Sequence, residues 1–175
     1  MIRRGLASAL DRLRLLPARP DAGIGAADVR RPVLRLYLVK ASRYDDDGRL
    51  LQFRWGVIPG NTLAVLAGLA RAWAGSRTDV ELQLVVWDEL VDATLDAATI
   101  ASITDAASRD GVRLLIGLCG VQTGEYPRAR DLALQFRSHG AAVAVGGFHV
   151  SSDPASRAFL ESAGVTVATG EAEDT

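Results

Sequence analysis

Cys119, His139 and His149 are the only side chains in this 175-residue chain that offer a thiol or an imidazole. Their spacing matches no zinc pattern, and a single cysteine can build neither an internal disulfide framework nor a three-cysteine iron–sulfur motif. No basic residue stands beside Cys119 in the sequence to lower its pKa, so it reads as a small packed residue rather than a nucleophile. Ser151, His149 and Asp153 supply the residue types of a hydrolytic triad, but as close neighbours without a nucleophile elbow they are not expected to work as one. Asp45-Asp46-Asp47-Gly48 gathers three carboxylates without the alternating spacing of a calcium loop. Arg54 falls where the distal Glu of such a loop belongs, so a solvated turn is expected.

Two glycine-rich stretches carry more information. Gly117-Leu118-Cys119-Gly120-Val121-Gln122-Thr123-Gly124 is small and flexible, and its Gln122 and Thr123 offer hydrogen bonds to a ligand. It fits neither the Walker spacing nor a GxGxxG that opens a helix, which argues against a phosphate cradle. Gly146-Gly147-Phe148-His149 places two adjacent glycines beside a strand, where something approaches the backbone closely. His149 is then either a ligand contact or a solvent-facing loop residue. His139, before Gly140, is expected at a helix C-terminus, where its charge is favourable.

The surrounding pattern says how these stretches are held. Val33 to Lys40 (VLRLYLVK), Val80 to Val86, Val112 to Cys119, Ala141 to Val145 and Val165 to Ala168 read as five apolar strands. Helices are expected from Asn61, with Leu63, Leu66, Leu69, Ala70 and Trp73 inward and Gly75 as the stop, and over Asp96–Ser108 and Tyr126–His139. A fourth should run from Asp153 to Gly164. Alternating strands and helices predict an α/β fold, a doubly wound parallel five-stranded sheet in the flavodoxin-like, Rossmann-like order 2-1-3-4-5. Ligands of such sheets bind at the carboxyl ends of the strands. The relevant loops are therefore 41–61, 120–126, 146–152 and 169–173. The first is long and carries Tyr44, Phe53 and Trp55, which suits either a ligand cover or a self-packed loop.

Residues 1–32 form a separate N-terminal extension: Leu6, Leu10, Leu13 and Leu16 predict a short amphipathic helix, followed by a linker rich in Pro and Gly. Residues 33–175 are the domain proper. A further helix normally follows the fifth strand. The chain stops at Thr175 without it, which creates the expectation of a front domain from a longer protein.

Gly117-Leu-Cys-Gly-Val-Gln-Thr, the helix Pro127-Arg-Ala-Arg-Asp-Leu-Ala, Gly146-Gly-Phe-His149 and Gly170-Glu-Ala-Glu173 occur in one order. In this the chain resembles the N-terminal cobalamin (B12)-binding domain of the B12-binding radical SAM proteins, over roughly residues 33–174. The resemblance implies a corrin held over the strand ends, with its nucleotide tail in the sheet crevice. Cys119, Gly120, Val121, Gln122, Thr123, Gly146, Gly147, Phe148 and His149 would lie beside it, with Gly170 and Glu171 on its far flank. It further implies a radical SAM domain in cis, absent from this chain, holding a [4Fe–4S] cluster and S-adenosylmethionine for methyl transfer or radical rearrangement. No catalytic centre or metal ligand is implied here. Cobalamin-dependent mutases carry Asp-x-His-x-x-Gly after the first strand, and residues 41–61 contain no histidine, as radical SAM relatives commonly do not. The alternative is a degenerate module of the same fold, used for docking or regulation without cofactor.

Composition bounds these readings. Twenty Lys+Arg against 21 Asp+Glu give a net charge of −1, which argues against nucleic acid as the partner. No window reaches the roughly 18 apolar residues of a membrane span. The start lacks a secretory signal, so a cytoplasmic protein is expected. A receiver domain is excluded, because Lys40, Cys119 and Thr169 stand where its acids and lysine belong.

Overall fold

A computed structural model describes residues 31–53 and 61–170. The expected N-terminal helix, Trp55 and Glu171 lie outside the described residues. The element order is β1 (Val33–Lys40), α1 (Asn61–Gly75), β2 (Glu81–Asp88), α2 (Ala97–Arg109), β3 (Arg113–Leu118), α3 (Tyr126–Ser138), β4 (Ala142–Gly146), α4 (Phe148–Ser152), α5 (Pro154–Ser162) and β5 (Thr166–Ala168). All five strands are parallel in one sheet, in the order β2-β1-β3-β4-β5. The chain is therefore a doubly wound α/β fold, and the order reverses between β1 and β3.

Strand β1 pairs on both sides, so it needs apolar residues on both faces. Leu34, Leu36 and Leu38 alternate toward α1, where they pack with Leu63, Ala67, Ala70 and Leu115. Val39 points to the opposite face, into the core that α2, α3 and α5 share through Ile100, Leu132, Phe136 and Leu160. The helix starts follow local chemistry. Asp96 accepts the Thr99 N–H at 2.8 Å ahead of α2. Asp153 caps α5 by accepting from Ala155 and Ser156. Helix α3 carries Pro127 in its first turn and stops at His139, followed by Gly140 at φ +81°. His139 thus caps a helix, as its sequence neighbours imply.

One stretch differs from the sequence expectation. Residues 146–152 read as a loop, but Phe148–Ser152 is a helical turn in its own right. Val150 supplies the reason: it is the one fully buried side chain of the turn and inserts into the core beneath. Among the described residues, no helix is long and apolar enough to cross a membrane.

Candidate functional site

The carboxyl ends of β3 and β4 are joined backbone to backbone. Val121 donates its N–H to Gly146 O at 3.0 Å, and His149 donates its N–H to Val121 O at 3.0 Å. Gly147 lies between these bonds at φ +143° and ψ −179°, a conformation essentially confined to glycine. A Cβ there would stand 2.1 Å from Val121 N. The close approach that the glycine pair signals is therefore real, and its partner is the chain's own Val121. Gly120, at φ +65°, is similarly approached from within: a Cβ would meet the Thr62 methyl at 3.1 Å, at the start of α1.

These contacts sort the residues singled out by sequence. Val121 is fully buried and Cys119 nearly so, and burial pushes the Cys119 thiol up to about 12. Its Sγ lies 3.1 Å from Gly117 O. It is a packed side chain. Gln122 and Thr123 are exposed at the start of α3, and Phe148 is 63% exposed on the adjoining corner. Gly170, at φ +90°, is exposed beyond β5, with nothing among the described residues within 4 Å of its Cβ position. The structure thus gathers Gln122, Thr123 and Phe148 into one ledge and withdraws Cys119 and Val121 beneath it.

His149 faces inward. Its ring lies 4.2 Å from that of Tyr126, with only 13% of the side chain exposed. Ser156 has a single hydroxyl hydrogen, and its Oγ donates to Asp153 Oδ2 at 2.6 Å. His149 Nε2, 3.0 Å from the same Oγ, must then be the donor of that pair. In the neutral ring this leaves Nδ1 as the acceptor, 3.4 Å from Thr123 Oγ1. Both ring nitrogens have partners within the chain. Ser151 is exposed and takes no part, so the paper triad of Ser151, His149 and Asp153 is not assembled. Capping and the Ser156 hydroxyl hold the Asp153 carboxyl below its ordinary pKa, the hydroxyl contributing most.

A polar group that sequence reasoning missed lies at the neighbouring strand ends. Glu89, immediately after β2, is fully buried and receives Arg128 of α3 in a bidentate pair at 2.6 and 3.1 Å. Its carboxylate also accepts the backbone N–H groups of Ser42 and Leu95, and Arg128 donates to Leu95 O. Burial works against the Arg128 charge, but Glu89 outweighs it and raises the pKa. The pair ties the segments after β1 and β2 to α3. No local signal reveals it, because the partners lie 39 residues apart.

The long segment after β1 is fastened by the same region. Tyr44 bridges to Leu50 across a turn in which Asp45 accepts the N–H groups of Asp47 and Arg49, so the acidic run is a turn as expected. Tyr44 donates its hydroxyl to Asp131 Oδ2 at 2.9 Å; burial and that carboxylate raise its pKa. Phe53 N–H reaches Leu90 O. Over residues 41–53 the segment packs on its own fold. Among the described residues, no group of three or more His, Cys, Asp or Glu is placed to hold a metal ion. The chain matches no family model, no curated protein and no solved structure.

Proposed function

We propose that residues 33–175 form a corrinoid-binding module, with cobalamin as its cofactor, working in cis with a radical SAM domain. The observation that carries the reading is the ledge at the strand ends: Phe148, 63% exposed, on a corner locked by the backbone bonds of Val121 to Gly146 and His149, beside exposed Gln122 and Thr123. A corrin presents an apolar face edged with amides. Phe148 suits the face, and the Gln122 carboxamide and Thr123 hydroxyl suit the edge. Among the described residues nothing lies within 4 Å of the Gly170 Cβ position, and the resemblance puts Gly170 and Glu171 on the far flank of the corrin.

The fit stops at that ledge. The Cβ positions of Gly120 and Gly147 are taken up by Thr62 and Val121, so neither glycine makes room for a nucleotide tail. At the strand ends His149 is engaged by Thr123 and Ser156 and Cys119 is buried, so neither side chain is free to reach a cobalt held on the ledge. Bound cobalamin would supply methyl-transfer or radical chemistry; this chain's residues would hold and orient it. The same glycine contacts favour a second reading, a docking module of this fold without cofactor.

Titrating the full chain with hydroxocobalamin, followed through its visible spectrum and then by desalting, separates the two. The corrin reading expects saturable, weak binding. It also expects a loss of roughly tenfold for Phe148→Ser, because a phenyl ring buried under a ligand contributes about 1.5 kcal/mol or more. No spectral change, or equal binding by Phe148→Ser, leaves the docking reading.

A further inference from the structure

The opposite edge of the sheet carries an independent feature. Strand β2 is an eight-residue edge strand, whereas the other edge, β5, has three residues. Glu81 N–H bonds to Pro32 O and Glu89 N–H to Lys40 O, both at 3.0 Å. This fixes the parity of the ladder: the odd-numbered residues of β2 turn their backbone groups toward β1, and Leu82, Leu84 and Val86 turn theirs outward. Asp88 also points outward, and its N–H is taken by Asp92 Oδ2 at 2.8 Å. The backbones of Leu82, Leu84 and Val86 have no partner among the described residues.

Exposed edges are ordinarily blunted by proline, lysine, a bulge or shortness. ELQLVVWD has none of these between its two end charges. One face carries Leu82, Leu84 and Val86 and the other Gln83, Val85 and Trp87, and Val86, Phe53 and Val91 are 43, 44 and 58% exposed around its carboxyl end. Alongside its amino-terminal half runs an open groove of about 530 Å³, floored by Ala74, Val80, Leu82 and Leu84 and rimmed by Arg31 and Arg71. Arg77 and Glu81 complete the rim, and Asp79 binds Arg77 through two bonds of 3.0 and 2.8 Å. With Arg77 and Asp79 paired, Arg31 and Arg71 against Glu81 leave the rim net positive among the described residues.

We propose that the outer edge of β2 is a strand-addition site for an extended segment of a partner protein. Apolar side chains of that segment occupy the Leu82–Leu84 groove, and acidic ones face Arg31 and Arg71. Backbone pairing at Leu82, Leu84 and Val86 gives affinity, and the groove and its charge give specificity.

The test uses the full chain and a fluorescein-labelled peptide of alternating valine and threonine with two glutamates at one end, read by polarisation. The expected result is saturable binding that Leu84→Pro lowers at least tenfold, because proline removes an outward N–H while sparing the β1 ladder. Arg71→Glu should lower it several-fold, with the difference shrinking at high salt. Val86→Lys replaces Leu84→Pro if circular dichroism shows the latter unfolded. Equal binding of a peptide N-methylated at alternate amides overturns strand addition, as does failure of the parent peptide to bind. Competition by heparin at equal strength overturns the partner class. A dimer in sedimentation that Leu84→Pro dissolves reassigns the edge to a second copy and overturns the partner.

Discussion

At the residue scale, glycines that look alike in sequence do different work. Gly147 is required by its φ of +143° and by Val121 N, 2.1 Å from where a Cβ would stand. Gly147→Ala should lower the urea-unfolding stability by about 3 kcal/mol or more. Gly124 has no described residue within 4 Å of its Cβ position, so Gly124→Ala should stay within about 0.5 kcal/mol. Cys119 gives a pH signature. Burial raises its thiol from 9.0 to about 12, so above pH 9 the unfolded chain loses this proton while the folded chain keeps it. Stability from this group is therefore complete below pH 9 and falls as pH rises toward 12. Urea midpoints measured over that range should decline more steeply for the native chain than for Cys119→Ala. The glycine pair announced a close approach correctly, but sequence could not say that the approaching group was Val121 rather than a ligand. Similarly, Ser156 turns His149 inward, and no motif joins those two residues.

At the element scale, the strands and helices were legible because each has its own period and its own stops. Val33–Lys40, Tyr126–Ser138 and the Asp153 cap follow directly from residue type, and the other boundaries lie within two residues of expectation. Phe148–Ser152 was not legible, since five residues hold too little periodicity to separate a helical turn from a loop. The Glu89–Arg128 pair was equally hidden, because tertiary proximity alone makes it. Its energetic role is distinct from net stabilisation: replacing one partner strands a buried charge. Glu89→Gln should destabilise the chain by roughly 3 kcal/mol, and the double variant Glu89→Gln/Arg128→Met should recover part of that loss. Thermal unfolding of Glu89→Gln, Arg128→Met and the double variant checks this; full additivity of the two changes would show the pair to be uncoupled. The same pair holds Ser42 N–H, so Glu89→Gln should also speed proteolysis within residues 42–53.

For the whole molecule, the strand order 2-1-3-4-5 keeps two features apart: the ledge of Gln122, Thr123 and Phe148 at the ends of β3 and β4, and the edge of β2, unpaired among the described residues. The first was visible in sequence as small residues after two strands. The second was not, because edge position is a property of the assembled sheet. The corrinoid reading concerns the ledge alone and stands apart from any partner at β2. Hydrogen exchange of the full chain with and without hydroxocobalamin tests it most directly. The account predicts slowed exchange at residues 120–126 and 147–152, with residues 82–86 unchanged. Unchanged exchange at both ledge segments under saturating hydroxocobalamin would contradict it.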